Sequence, residues 1–123
     1  MARVTGIGGV FLRVADPKAT TDWYVKNLGI VPTEYGVTFL WSDEVPEKTG
    51  MTTWATFPAD TKYFGDSGQP FMINYRVDDL DALLARLAEN GVWIDPKREN
   101  ADYGRFAWIR DCDGHRIELW QPL

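Results

Sequence analysis

Few side chains of this sequence could carry out nucleophilic or acid–base catalysis. The only histidine, His115, and the only cysteine, Cys112, lie in one short polar stretch, where His115 is expected to be a surface turn residue. The neighbouring carboxylates of Asp111 and Asp113 would disfavour a reactive thiolate at Cys112. The sequence has no Ser-His-Asp pattern, and its Gly6-x-Gly8-Gly9 run precedes a strand rather than a helix, unlike a phosphate loop. No catalytic residue is therefore assigned.

Aromatic residues are the second feature that could bear on function. Six Trp, five Tyr and six Phe make up 14% of the chain. Large flat side chains stabilise hydrophobic cores, and they also line pockets for organic ligands. We expect these residues to be divided between the core, a subunit interface and a cleft for a small molecule.

The composition is that of a globular domain. The chain has 123 residues, of which 45% are hydrophobic and 25% charged, with a net charge of −5. Such a chain can bury a core without disulfides. Its acidic balance and lack of a basic run argue against nucleic-acid binding, and no stretch approaches the roughly 20 apolar residues of a membrane span. A lone cysteine and no signal-peptide pattern favour a cytoplasmic location.

The first half of the sequence predicts a strand, a helix and three further strands. Apolar residues alternate over 9–14, as in a half-buried strand. Asp16-Pro17 predicts a helix start, and Gly29 predicts its end after Leu28. The helix should bury Ala19, Trp23, Tyr24 and Leu28. The further strands are predicted over 30–34, 37–42 and 52–57, with turns at Tyr35-Gly36 and over 43–50.

The second half repeats this order after a connector over 59–70, in which Tyr63 and Phe64 should pack against the protein. A strand is predicted over 71–77. A helix is predicted over 80–90, capped by Asp78 and Asp79 and ended by Gly91, and its apolar stripe consists of Leu80, Leu83, Leu84 and Leu87. Three more strands are predicted over 92–95, 105–110 and 116–121.

Corresponding residues recur at a nearly fixed distance along the chain. Arg13-Val14-x-Asp16 matches Arg76-Val77-x-Asp79 at an offset of 63 residues, and Gly29 matches Gly91 at 62. Such a repeat indicates duplicated units that bury their faces together. We expect one domain over 1–123, with module one at 7–58, the connector at 59–70 and module two at 71–121.

Three motifs give the chain a family resemblance. They are Phe11-Leu12-Arg13-Val14-x-Asp16 leading to Trp23-Tyr24-x-x-x-Leu28-Gly29, Tyr75-Arg76-Val77-Asp78-Asp79-Leu80-Asp81, and Asp111-Cys112-Asp113-Gly114-His115-Arg116-Ile117-Glu118-Leu119. In this order they resemble the vicinal-oxygen-chelate superfamily of glyoxalases, bleomycin-resistance proteins and extradiol dioxygenases. The closing motif departs from the family pattern at Cys112, where relatives have proline.

The resemblance implies an α+β fold in which two βαβββ modules form a curved mixed sheet around a cleft, with the helices outside. It also implies homodimers as a common assembly. Enzymes of this superfamily hold a divalent metal with His, Gln or Glu from four strands. The matching positions here are Gly9, Met72, the strand over 52–57, which has no such side chain, and Glu118. One carboxylate is too few for a catalytic metal site, so neither metal nor other cofactor is expected.

The parity of the strands predicts which side chains face the cleft. From module one these are Phe11 and Arg13, with Phe39, Trp41 and Trp54 as aromatic walls; from module two they are Met72, Asn74, Arg76, Phe106, Trp108, Glu118 and Trp120. Arginines beside aromatic rings suit a planar or anionic ligand. The alternative is that Arg13, Arg76, Arg110, Arg116 and Glu118 form a buried ion-pair network.

Two functions follow from these expectations. The first is a metal-independent protein that binds a small aromatic or anionic organic molecule, as bleomycin-resistance proteins do. The second is an enzyme, either a glyoxalase-like lyase or isomerase or a dioxygenase, whose divergent metal site uses Glu118 as one ligand. A third reading is a regulatory or scaffold subunit whose exposed aromatic residues serve dimerisation.

Overall fold

A mixed, curved sheet with two longer helices packed against it forms the framework of the protein. The computed structural model describes residues 1–28, 30–34, 36–44, 50–66 and 68–123. In these residues there are seven strands: β1 (Val4–Val14), β2 (Val37–Leu40), β3 (Met51–Pro58), β4 (Phe71–Val77), β5 (Glu99–Ala101), β6 (Gly104–Arg110) and β7 (Arg116–Gln121). The helices are α1 (Pro17–Leu28), the single-turn α2 (Trp41–Glu44) and α3 (Leu80–Glu89). The α+β fold predicted from the sequence is confirmed.

The sheet is arranged around two central antiparallel strands. Its strand order is β2-β3-β1-β4-β7-β6-β5. β1 and β4 pair antiparallel, and each also has a parallel neighbour, β3 for β1 and β7 for β4. The strands β1 to β3, here called the first half, therefore occupy one side of the sheet, and β4 to β7, the second half, occupy the other.

Alternating residues give the second half two different faces. Ala107, Ile109 and Leu119 point to one side, where they form a core with the buried Leu80, Leu83 and Leu84 of α3. Phe106, Trp108 and Trp120 point to the opposite side and join Phe11, Ala55, Phe64 and Met72. The period of two along a strand is what separates these faces. The sheet of the second half therefore has an aliphatic face under α3 and a largely aromatic face opposite it.

Both longer helices begin with the aspartate caps that the sequence predicted. The Asp16 carboxylate accepts from the backbone N–H of Ala19 at 3.1 Å, and Asp79 accepts from that of Ala82 at 3.1 Å. These bonds satisfy backbone donors that have no partner inside the helix. Gly91 follows α3 with φ +76°, a conformation that favours glycine. Among the described residues, no helix is long and apolar enough to cross a membrane.

Helix α1 is covered less well than the sequence predicted. None of its residues is buried, and Trp23 and Leu28 are 56% and 62% exposed. Both were expected in the core. The helix touches the sheet through Tyr24, which contacts Trp54 at a ring distance of 4.7 Å, and through Thr21 beside Thr56. A threonine where α3 has leucine leaves the helix without a continuous apolar stripe.

The strands differ from the prediction at several points. Residues 30–34 and 92–95 form only single bridges, Thr33 with Gly36 and Ile94 with Ile109, so two predicted strands are wrong. The predicted strand 37–42 ends at Leu40, because Trp41 begins α2. In the opposite direction, β1 starts at Val4 and β5 exists where no strand was predicted. Short segments such as β5, 30–34 and 92–95 carry little periodic signal, so most of these errors fall there.

The connector is tied to the protein rather than loose. Phe64 is fully buried in the core and Tyr63 packs against Phe57 with nearly parallel rings 5.1 Å apart. Arg13 holds the connector by donating to the carbonyl oxygens of Ala59 and Thr61. The predicted packing of Tyr63 and Phe64 is confirmed. The predicted helix end at Gly29, the Tyr35 turn residue and most of the 43–50 turn lie outside the described residues.

Candidate functional site

An open cleft of about 1040 Å³ lies on the sheet face opposite α3. Strands of both halves contribute to it, as do the start of α1 and the connector. Clefts of this size, lined by apolar and aromatic groups with a few polar ones, are typical of small-molecule sites. The lining side chains that matter most for its chemistry are Phe11, Thr53, Ala55, Phe57, Tyr63, Asn74, Glu99, Tyr103, Phe106, Glu118 and Trp120.

Glu118 forms the floor of this cleft. It lies on β7 and is 1% exposed. Its carboxylate accepts hydrogen bonds from the hydroxyl of Tyr63, from Asn74 Nδ2 at 2.6 Å and from Trp108 Nε1 at 3.0 Å. The donors come from the connector, β4 and β6, so three segments converge on one side chain. Both oxygens of the carboxylate are therefore occupied by donors of the protein.

The floor is electrically unusual. Burial raises the pKa of Glu118 above the ordinary value of a glutamate, and the three hydrogen bonds oppose this rise. The pKa of Tyr63 is also raised, first by burial and then by the negative charge of Glu118. Tyr63 thus remains a hydrogen-bond donor. No Lys or Arg of the described chain forms an ion pair with Glu118.

Asn74 has one polar atom without a partner. Its Nδ2 donates to Glu118, while its buried Oδ1 has no hydrogen bond within the described part of the chain. This oxygen lies against Gly8, where a bulge in the β1–β4 pairing brings the backbone close. A Cβ at Gly8 would overlap with Asn74 Oδ1 and approach Trp120 to 2.9 Å. The glycine is required for this close approach.

Aromatic rings form the walls. Phe57 and Tyr63 stack on the side of the first half, and Phe106 and Trp120 lie nearly parallel on the side of the second, with centroids 6.4 Å apart. Tyr103 meets Phe106 edge to face at 5.6 Å. Beside Phe57 on β3, the small side chains of Thr53 and Ala55 also line the cleft.

The charged groups on the cleft surface are mostly acidic. Among the described residues that line it, Asp22, Glu34, Glu99 and Glu118 are acids and Lys18 is the one base. Lys18 lies at the rim, where it already pairs with Asp22 at 2.8 Å. The cleft therefore has a negative potential, focused by its apolar walls.

Five of the twelve residues predicted to contact a ligand line the cleft. They are Phe11, Asn74, Phe106, Glu118 and Trp120. Met72 and Trp108 lie on the same face but below the surface, since they are 1% and 0% exposed. Trp108 acts there as a donor to Glu118. Their parity is as expected, and their position is in the layer that supports the cleft.

The arginines are placed differently from the expectation. Arg13 donates to connector carbonyl oxygens, and Arg76 lies over Trp41 at 5.6 Å, near the start of β3. Arg110 stacks on the exposed Trp93, and Arg116 pairs with Asp95 at 2.9 Å. None of the four lines the cleft. They also do not form one network with Glu118 in the described chain, because each has a separate partner.

The three aromatic walls predicted from the first half require correction. Trp54 points to the helix side of β3, where it contacts Tyr24, because the neighbouring Thr53 and Ala55 face the cleft. Phe39 is 45% exposed, since Thr38 takes the inward position on β2. Trp41 begins α2 and is 42% exposed. Side chains alternate between the two faces of a strand, and on β2 and β3 the prediction assigned the wrong set of alternate residues to the cleft.

Sequence reasoning missed several cleft residues. Tyr63 was expected to pack, but nothing in the connector's pattern indicated that it would reach Glu118. Glu99 and Tyr103 belong to the β5 hairpin, which was not predicted. The small residues Thr53 and Ala55 could have been found by choosing the other face of β3 as the cleft face.

The chain belongs to the Glyoxalase/Bleomycin resistance protein/Dioxygenase superfamily, whose family model matches residues 6–119. The resemblance predicted from the motifs is confirmed. Comparison with curated proteins gives no match.

Solved structures of the same fold include two methylmalonyl-CoA epimerases. The enzyme of Mycobacterium tuberculosis is 26% identical, with a TM-score of 0.66 over 98% of this chain and 89% of that one. A variant of the Streptomyces coelicolor enzyme, in complex with 2-nitronate-propionyl-CoA, is 18% identical, with a TM-score of 0.73 over 98% and 99%. A superfamily member from Vibrio splendidus is 16% identical, with a TM-score of 0.58 over 98% and 99%.

The donor set of the cleft does not fit the divalent metal that enzymes of this superfamily hold. A side chain at Gly9 would overlap with the carbonyl oxygen of Thr53, and Met72 is packed in the core. β3 offers threonine and alanine, and Glu118 is already bound by three protein donors. In the described chain, the metal-type side chains that do cluster are Asp111, Asp113 and His115, in the turn before β7 and outside the cleft. At least three ligands are usual for a catalytic metal.

Proposed function

We propose that the protein binds a small aromatic organic molecule in this cleft without the help of a metal. The observation that carries the proposal is the state of Glu118. In the position that matches a metal ligand of related enzymes, this carboxylate accepts bonds from Tyr63, Asn74 and Trp108. A group held in this way supports the walls and floor of a binding site rather than a coordination sphere.

The walls support an aromatic ligand. Two pairs of nearly parallel rings line the cleft, together with the small side chains of Thr53 and Ala55. A planar molecule can contact ring faces on both sides and bury most of its surface. The sequence suggested an aromatic or an anionic ligand, and only the aromatic part is supported, because the arginines lie elsewhere and the lining charges are acidic.

The test is a thermal-shift screen of planar aromatic compounds, with protein purified both with and without a chelator. A ligand present at 100 times its Kd stabilises the fold by about 2.7 kcal/mol, which is readily detected. We expect stabilisation that is equal in the two preparations. Absence of any shift across the screen at high ligand excess would reject the proposal. A shift that depends on added metal would reject its metal-free part.

An enzyme with a divergent metal site is the second candidate. The likeness to the mycobacterial methylmalonyl-CoA epimerase at 26% identity, and the carboxylate at Glu118, favour it. Stoichiometric metal in protein purified without added metal, lost in Glu118→Ala, would support this candidate. Metal-free protein whose melting temperature is unchanged by chelator would exclude it.

We also propose that the protein is a cytoplasmic homodimer. Exposed apolar side chains on the outer face of the central strands, including Ile7, Phe71 and Ile73, support an association between subunits. The exposed, free Cys112 supports a reducing compartment. Light scattering at micromolar concentration tests the assembly, and a monomer there would contradict it.

A further inference from the structure

The charge of Glu118 has no counter-ion in the described chain. The side chain is buried, its partners Tyr63 and Trp108 are neutral donors, and Arg116, two positions earlier on β7, is paired with Asp95 instead. Buried carboxylates are usually paired with a cation or a metal, because removing a charge from water is costly. When ionised, Glu118 therefore leaves a negative charge at the floor of the cleft that a positively charged ligand offsets.

Further negative groups surround the same space. Glu99 on β5 lines the same cleft as Glu118, so a second carboxylate faces this space. Asn74 Oδ1, the negative end of the amide dipole, has no hydrogen-bond partner in the described residues. Glu34 adds a fourth group at the rim. A cation inside this cleft would be attracted by all of them through walls of low polarity.

The aromatic walls act in the same direction. The face of an aromatic ring carries negative charge, so cations bind over it, and clusters of such rings recognise ammonium groups. Phe57, Tyr63, Phe106 and Trp120 present rings around the cleft. The cleft thus combines acidic side chains with the faces of aromatic rings, and its one described basic residue, Lys18, is already paired with Asp22. Such a cleft favours a positively charged ligand over a negatively charged one.

We propose that the ligand of this cleft is an organic cation: an aromatic framework carrying an amine that is protonated at neutral pH. The inference rests on the proposed function, since it names the class of molecule that the same cleft would bind. The ammonium group would sit over the floor between Glu118 and Glu99, with the aromatic part between the walls. An anionic ligand of the same shape would be repelled.

A series of three probes of similar shape separates charge from shape. The probes are 2-naphthylmethylamine, which is a cation at neutral pH, 2-naphthylmethanol, which is neutral, and 2-naphthoate, which is an anion. Isothermal titration calorimetry would measure the Kd of each with the full chain at low salt, where charge interactions are least screened. We expect the amine to bind about tenfold more tightly than the alcohol, a difference of about 1.4 kcal/mol, and the naphthoate to bind weakest.

Two variants and a control locate the effect. Glu118→Gln has nearly the same shape, and its amide can still accept from Tyr63 and Trp108 and donate to Asn74 if that side chain turns over. Glu99→Gln removes the second charge from a strand at the sheet edge, so one variant remains if the other folds poorly. Both should weaken the amine several-fold and weaken the alcohol much less, so that the preference for the amine shrinks. Glu89→Gln, at the exposed end of α3, removes the same charge away from the cleft and should change neither.

The outcomes are distinguishable. Equal binding of the three probes, or tightest binding of naphthoate, overturns the organic-cation inference and leaves the proposed function standing. A loss of amine affinity in Glu89→Gln equal to that in Glu118→Gln also overturns it, because the effect would then be one of net charge. Failure of all three probes to bind at about 1 mM, a concentration that detects even weak sites, overturns the proposed function together with the inference.

Discussion

Helices α1 and α3 occupy corresponding places in the two halves but are packed to different extents. Leu83 and Leu84 of α3 are buried against β6 and β7. At the offset of 63 residues, the matching positions in α1 are Thr20 and Thr21. These side chains cannot replace the lost apolar area, and α1 has no buried residue. The same element therefore stabilises one half strongly and the other weakly.

Because the two helices are packed to different extents, the two halves contribute differently to the cleft. In the second half, an apolar core lies behind the sheet, and hydrogen bonds connect Asn74 and Trp108 to Glu118. The first half contributes small side chains from β3 and a lightly packed helix at the rim. Loosely packed elements open more readily than a cooperative core. The second half therefore supplies the firmly packed floor of the cleft, and the first half supplies part of its more loosely packed rim.

The largest effect should come from breaking the apolar core behind the second half. Leu83 is 5% exposed, so Leu83→Ala should lower the free energy of unfolding by about 2–4 kcal/mol, from lost burial and from the cavity left behind. Leu28→Ala is the matched change in α1, where the side chain is 62% exposed, and should cost less than about 0.5 kcal/mol. Urea denaturation measures both. Equal losses would contradict the contrast between the helices.

The next effect concerns the close contact between the halves at Gly8. A methyl group there would overlap with Asn74 Oδ1, so Gly8→Ala should cost about 1–3 kcal/mol by overpacking and disturb the cleft floor. Gly6→Ala, on the same strand, meets only the flexible end of Arg76 and should cost much less. Thermal unfolding followed by circular dichroism compares the two. If Gly6→Ala were less stable than Gly8→Ala, the close contact between Gly8 and Asn74 would not be the one that limits side-chain size on this strand.

A smaller effect is expected for the bond between the connector and Glu118. Tyr63→Phe keeps the ring that stacks on Phe57 and removes the hydroxyl donor, which should cost about 1–2 kcal/mol because a buried carboxylate loses one partner. Tyr24→Phe is the control, since Tyr24 contacts Trp54 through its ring. Urea denaturation again gives the comparison. If both variants were equally stable to within error, Tyr63 would have no special role in holding the floor.

The same contrast explains what the sequence could predict about the fold. The strong signals were right: the leucine stripe of α3, the caps Asp16 and Asp79, and the alternation in β4, β6 and β7. The errors lie in short edge segments such as 30–34 and 92–95, whose pairing depends on neighbours far along the chain. The division into modules at 7–58 and 71–121 stays a prediction.

The residues that line the cleft could be predicted only on strands whose alternation shows clearly which side chains face the helices. The parity of β4, β6 and β7 placed Asn74, Phe106, Glu118 and Trp120 correctly on the cleft face. On β3 the large ring of Trp54 suggested the cleft face, whereas the cleft needed small residues there, and the ring packs on α1. The arginines were misplaced because a long side chain at a strand end can bind backbone carbonyl oxygens of a loop, as Arg13 does. No local pattern records such a partner.

The smallest predicted effect compares one ion pair from each half. Asp95 pairs with Arg116, and both side chains are mostly buried, whereas Lys18 and Asp22 form an exposed pair on α1. The pKa of Asp95 is lowered in the folded chain, mainly because the backbone N–H of Lys97 donates to its carboxylate and also because of Arg116. A carboxyl with a lowered pKa stabilises the fold above its ordinary pKa, and this contribution disappears as the pH falls through the lowered value.

Asp95→Asn should therefore lower the free energy of unfolding at neutral pH by about 0.5–1 kcal/mol, and the difference from the wild type should vanish in acid. Asp22→Asn should produce no measurable change at any pH, because its pair is exposed and screened by water. Urea denaturation at a series of pH values, from neutral to acid, measures both variants. A difference for Asp95→Asn that persists in acid would mean that the side chain contributes through packing and hydrogen bonds rather than through its charge.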